Sequence, residues 1–179
     1  MQVLLTEEQL RQGIQRMAQQ IQQRYQGRTL TVVGVMIGSI VLMADLIRLL
    51  DIPLRVELVQ ARSYRGRSTR PGPLAIDTSL LSSDVRGRHV LLVDDIFDTG
   101  HTLWELIPQI DELEPASVHT AVLLRKQGRC EVQLEPDIVG FDIPDAFVVG
   151  YGLDYHDQYC NLPYVAMLEP AELSEEGGL

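Results

Sequence analysis

Apolar residues recur at helical spacing from Leu10 through Ile14, Met17 and Ile21 to Tyr25, so residues 7–25 form an amphipathic helix. Thr6 and Gln9 frame its start as a capping box, each side chain serving the other's backbone N–H. Gly27 stops it. The period then changes. Leu30-Thr31-Val32-Val33-Gly34-Val35 is a nearly unbroken apolar run of strand length, Met36-Ile37-Gly38-Ser39 is a tight turn, and residues 40–50 form a helix that is apolar over most of its surface. Strand, glycine turn and helix open a βαβ unit. Further strands are expected over 54–61, with Val56 and Leu58 on one face, over 89–93 and over 117–124. A helix over 103–113 buries Leu103, Leu106, Ile107 and Ile110, with Pro108 expected to kink or shorten it and Glu114-Pro115 to end it. An edge strand or ribbon is expected over 73–81 and a short final strand over 164–168. Continuous apolar strands alternating with helices define an α/β fold with a mainly parallel central sheet covered on both faces. Residues 1–168 read as one domain, without repeat or dividing linker, and 169–179 as an acidic, Gly-ended flexible tail.

Composition narrows the partners. A chain of 179 residues has room for a proper core, and a hydrophobic content of 45% is ordinary for a soluble domain. A formal net charge of −10 opposes binding to nucleic acid or an anionic membrane, whose affinity comes from Lys and Arg. An anionic ligand must then be met by local donors and a metal. Cys130 and Cys160 make neither a disulfide framework nor a metal spacing. No signal peptide opens the chain and no apolar run reaches the roughly 20 residues that span a bilayer, so a cytoplasmic location is expected. The one strongly basic stretch is 62–73, which packs Arg62, Arg65, Arg67 and Arg70 among Gly, Ser and Pro. On composition it is a solvated surface loop.

The densest candidate chemistry is Val90-Leu91-Leu92-Val93-Asp94-Asp95-Ile96-Phe97-Asp98-Thr99-Gly100-His101-Thr102. The four apolar residues make a buried strand. The acidic pair follows at its carboxyl end, the edge where open α/β sheets bind ligands. The turn through Asp98 to Thr102 then enters a helix, whose first N–H groups suit a phosphate. Asp98 is equally placed to cap that helix. At the same edge of the next strand stand Arg125 and Lys126, and further on come Asp137–Asp145 and Phe147-Val148-Val149-Gly150-Tyr151-Gly152-Leu153-Asp154-Tyr155.

The segments 90–102 and 137–155, with weaker support at 37–39 and 63–64, resemble the hypoxanthine-guanine phosphoribosyltransferases of the type I purine phosphoribosyltransferase family. The resemblance spans roughly residues 5–168. It implies a sheet flanked by helices with a small hood built from terminal segments. It also implies transfer of the 5-phosphoribosyl group of phosphoribosyl pyrophosphate (PRPP) to N9 of hypoxanthine or guanine, giving IMP or GMP and pyrophosphate. In that scheme Asp94 and Asp95 hold the ribose hydroxyls, Asp98 is the catalytic acid/base at purine N7, and Asp98, Thr99, Gly100, His101 and Thr102 wrap the 5′-phosphate. Ile37, Gly38 and Ser39 are the pyrophosphate loop, and Ser63 and Tyr64 belong to a mobile loop that closes over the site. Lys126 donates to the exocyclic oxygen of the base, Phe147 stacks on its ring, and the Val148 backbone reads its edge. Asp154, with Asp94 and Asp95, contacts Mg²⁺. Family members are commonly homodimers or homotetramers, and the helix at 40–50 is a candidate interface.

Two positions depart from the family pattern: Ile37 and Cys160 stand where cations near pyrophosphate are expected. Arg65, Arg67 and Arg70 are the candidates to compensate. These departures also favour a competing class, a phosphoribosyltransferase-like nucleotide-binding regulator. Asp98 and Lys126, which a pure phosphate sensor does not need, oppose it.

Overall fold

The computed structural model describes residues 1–63, 74–77, 85–169 and 171–173. Five parallel strands form the centre: β2 (Leu30–Met36), β3 (Leu54–Ser63), β5 (His89–Phe97), β6 (Ser117–Lys126) and β7 (Ile138–Ile143). With β4 (Leu74–Asp77), which runs antiparallel beside Gln60–Ser63, they make one sheet in the order β4-β3-β2-β5-β6-β7. Period-two alternation sorts the core. Val32, Leu91, Val93, Ala121 and Leu123 face α1 (Glu7–Tyr25) and α2 (Ile40–Ile47). Val33, Val35, Val90, Leu92 and Val122 face α3 (His101–Asp111). Burial of both sheet faces explains the continuous apolar runs.

Residues 7–25 form α1 as expected. The Gln9 N–H donates to Thr6 Oγ1 at 3.3 Å and Gln9 Oε1 accepts from the Thr6 N–H at 2.9 Å, closing the capping box. The second helix ends three residues short of expectation, because Leu49 and Leu50 donate to Leu46 and Ile47 in tight i→i−3 turns. Pro108 does not end α3, which runs on to Asp111. Among the described side chains of β3 the buried one is Val59, whereas Val56 is 44% exposed: β4 pairs only with the end of β3 and leaves its first half at the sheet edge. The hood is a separate antiparallel sheet, β1 (Gln2–Leu5), β9 (Val165–Met167) and β8 (Val148–Val149), in the order β1-β9-β8. It joins the two terminal regions, and β1 had no counterpart among the expected strands.

Strands β5 and β6 outrun their apolar cores. The ladder between β2 and β5 stops at Gly34–Val93, while β5 stays paired with β6 through Phe97–Arg125. Beyond Val93 the sheet therefore parts between β2 and β5. In the strand order this is the switch point, since β2 leads to β3 on one side and lies beside β5 on the other.

Candidate active site

The parting places Asp94 and Asp95 at the mouth of a crevice. Asp94 is buried, and its Oδ1 accepts the Asp95 N–H at 3.0 Å; Asp95 Oδ1 accepts the Ile96 N–H at 2.7 Å. Burial raises both carboxyls above the ordinary carboxylate range, and at Asp94 the neighbouring charge of Asp95 adds to it. Opposite them the 36–39 turn is held by Ser39, whose hydroxyl donates to the Val35 carbonyl at 2.5 Å, and the Met36–Ile37 peptide is cis. Gly38 lies directly on Asp95. A Cβ there would stand 1.6 Å from Asp95 Oδ2, so any side chain would displace the Asp95 carboxylate.

One cavity of about 280 Å³ is lined by Gly38, Asp94, Asp95, Asp98, Thr99, Gly100 and Thr102. Gly100 caps α3 in the left-handed region at φ 88°, where glycine is unstrained. The helix thus starts at His101, and its unpaired first-turn N–H groups flank the cavity. Asp98 makes no cap contact, so the capping alternative does not hold. Its carboxylate turns the other way. Oδ2 accepts from Lys126 Nζ at 2.9 Å and Oδ1 from Arg129 Nε at 3.0 Å. Burial pushes the Asp98 carboxyl up, but these two hydrogen bonds and cationic charges overcome it and hold it below its ordinary value.

A second cavity of about 280 Å³ shares Met36, Gly38 and Asp95 and adds Ile37, Gln60 and Asp154. Two carboxylates from distant segments thus face one space. Asp154 also takes the Asp157 N–H at 3.1 Å. Among the described residues no cluster of three metal-ligating side chains occurs. That donor set fits a hard divalent ion such as Mg²⁺, which usually takes one or two carboxylates and completes its shell with substrate phosphates and water. Ile37 is 65% exposed here and offers no cation. Cys160 instead lines an apolar groove of about 580 Å³ between α1, α2 and the 151–163 segment, which contains none of residues 94–102.

Phe147, just before β8, is 39% exposed and packs T-shaped against the Tyr155 ring, centroids 5.1 Å apart; Val148 is buried in the hood sheet. Ser63 is the last residue of β3. Tyr64, Arg65, Arg67 and Arg70 lie outside the described residues. Three contributors were missed from sequence. Arg129 and Glu131 sit in a stretch that reads as a polar turn, yet Glu131 bonds His101 Nε2 at 3.1 Å and donates its N–H to the Thr99 carbonyl at 3.0 Å. Tyr155 lay inside a motif but carried no assigned role.

A switch point with paired carboxylates, a glycine-led turn into a helix and a lysine–aspartate pair is the arrangement of an α/β protein that binds its ligand at the carboxyl edge of the sheet. The family model described as "Phosphoribosyl transferase domain" matches residues 3–156. The chain belongs to the phosphoribosyltransferase family and is an enzyme of the transferase class. It is 38% identical over 167 residues to the hypoxanthine-guanine phosphoribosyltransferase of Streptococcus pneumoniae, covering 93% of this chain and 92% of that one. It is 40% identical over 166 residues to the hypoxanthine phosphoribosyltransferase of Haemophilus influenzae, covering 91% and 92%. A solved hypoxanthine phosphoribosyltransferase from Staphylococcus aureus superposes with a TM-score of 0.90 at 38% identity, over 97% of this chain and 94% of that chain.

Proposed function

We propose that the protein salvages 6-oxopurines by transferring the 5-phosphoribosyl group of PRPP to N9 of hypoxanthine or guanine, with release of pyrophosphate. The observation that carries this reading is the Lys126–Asp98 ion pair at the carboxyl edge of the sheet, beside the acidic crevice. Lysine is a donor without acceptor capacity, so it favours an oxygen over an amino group at the purine 6-position.

In the reaction N9 forms a bond to C1′ of the ribose as the bond from C1′ to the pyrophosphate oxygen breaks, through a state of oxocarbenium character. Asp98 takes the proton that leaves N7, and its low pKa keeps it ionised for that task. The turn from Thr99 to Thr102 orients the 5′-phosphate with backbone N–H groups. Asp94 and Asp95 hold the ribose hydroxyls, and Phe147 offers its face to the purine. Asp95 and Asp154, with Asp94, would hold Mg²⁺, which would supply charge neutralisation of the departing pyrophosphate. Gly38 brings the pyrophosphate loop against Asp95, so ribose and pyrophosphate subsites abut.

Nucleotide formation from PRPP, followed across hypoxanthine, guanine, xanthine and adenine with Mg²⁺ or with chelator, tests this. Turnover with the first two, none with adenine and none with chelator is expected. Binding of IMP without turnover of any base would make the protein a nucleotide-binding regulator instead.

A further inference from the structure

Asp98 is held from two sides by cations on different stretches of chain. Lys126, at the end of β6 and only 11% exposed, sits on Oδ2. Arg129, from the segment that follows β6, sits on Oδ1 and is steadied from behind by Asp145, 3.6 Å away, in the segment that follows β7. On the strand that leads into Asp98 the charged neighbours are Asp94 and Asp95, and Glu131 adds its charge near Arg129. The Arg129 segment is tied down: Glu131 N–H bonds the Thr99 carbonyl, and Val132 packs where a Cβ on Gly100 would fall.

These contacts pose a problem for the reaction proposed above. If Lys126 is to reach the exocyclic oxygen of the base, its ammonium must be drawn off Oδ2, the oxygen that then meets N7. A half-buried carboxylate stripped of its cation would swing and gain a proton. We propose that Arg129 is a positioning residue that keeps the Asp98 carboxylate in place on Oδ1 while Lys126 turns to the purine, so that base binding exchanges one partner of Asp98 and retains the other. The proposal rests on the assignment of Asp98 and Lys126 given above. Arg129 does not touch the base in this scheme; it acts through Asp98.

The test is the pH dependence of kcat/KM for hypoxanthine at saturating PRPP, measured for wild type, R129Q, R129K and D98N. R129Q is expected to lose about tenfold or more at neutral pH, the span of a lost hydrogen bond to a charged group. Its acidic limb moves to higher pH, because removing the cation lets burial raise the Asp98 carboxyl. The KM for PRPP stays near the wild-type value, and R129K restores most of both effects. An R129Q profile that matches wild type while D98N loses activity would overturn the role of Arg129. A D98N enzyme with the wild-type rate and profile would overturn the reading of Asp98, and the proposal with it.

Discussion

The two ends of the central sheet carry similar polar residues and use them in opposite ways. At the amino end these groups find their partners within the chain. Tyr25 hydroxyl and His119 Nδ1 lie 3.0 Å apart, His89 Nδ1 and Ser117 Oγ 2.8 Å, and Arg88 donates to Thr31 Oγ1 and the Leu30 carbonyl. Burial pushes the Tyr25 hydroxyl up to about 12 and the His119 imidazole down, so both stay neutral. Asp137 closes the set, accepting the Thr120 N–H at 2.9 Å and the Arg24 guanidinium at 2.9 Å. At the carboxyl end Asp94 and Asp95 face one another and a cavity. The same side chain is thus pushed to opposite sides of its ordinary value. Burial would raise Asp137 too, but the Thr120 N–H and Arg24 outweigh it and leave its pKa low. Among the described residues no such cation stands beside Asp94 and Asp95, and burial leaves theirs high. A carboxylate paired with a cation holds a fold together, and a buried acidic pair facing a cavity leaves work for a ligand.

Substitutions at the two ends should separate activity from stability. The largest effect is expected for Asp98→Asn, which removes the proposed proton acceptor: kcat falls by about 10²–10⁴-fold, the usual worth of general acid–base catalysis. Gly38→Ala comes next. Its methyl would overlap Asp95 Oδ2, and displacing that carboxylate should cost about 10²-fold in kcat/KM for PRPP. At the amino end the sign reverses. Asp137→Ala should leave steady-state kinetics at 25 °C unaltered and destabilise the fold by about 1–3 kcal/mol, lowering the melting temperature by several degrees. Since Asp137 is depressed in the folded protein, its contribution is present above the ordinary carboxylate pKa of about 3.9 and lost as pH falls through the lower folded value. Denaturant titrations between pH 6 and pH 3 should show a smaller acid loss in Asp137→Ala than in wild type. An Asp137→Ala enzyme with normal stability but altered kinetics would break the contrast between the ends.

Much of this was legible beforehand, for physical reasons that differ by element. The capping box and the Leu10–Tyr25 stripe fix α1 because both act within a few residues of sequence. The strand at 90–93 announced itself through continuous apolarity, but its continuation through Asp94 to Phe97 did not, because pairing with β6 carries polar residues that hydrophobicity alone would assign to a loop. Nothing local in the sequence marks β1 as a strand, since its partner, β9, lies at the far end of the chain. Site residues divide similarly. Asp94, Asp95 and the Asp98–Thr102 turn sit in one contiguous motif, and resemblance supplied Lys126, Phe147 and Asp154. Arg129 belongs to the polar segment Gln127-Gly128-Arg129-Cys130, whose composition says only "turn". Its role exists because the segment folds back onto Thr99.

The most direct test of the division between the two ends is a crystal structure with guanosine monophosphate. The account predicts the 5′-phosphate on the Thr99–Thr102 turn, the ribose hydroxyls on Asp94 and Asp95, the ring on Phe147, and Lys126 Nζ about 3 Å from the exocyclic oxygen. Asp98 would remain on Arg129, and the Asp137–Arg24–Thr120 cluster would not move. A nucleotide bound elsewhere, or one bound with Lys126 still paired to Asp98 and no contact to the base oxygen, would contradict it.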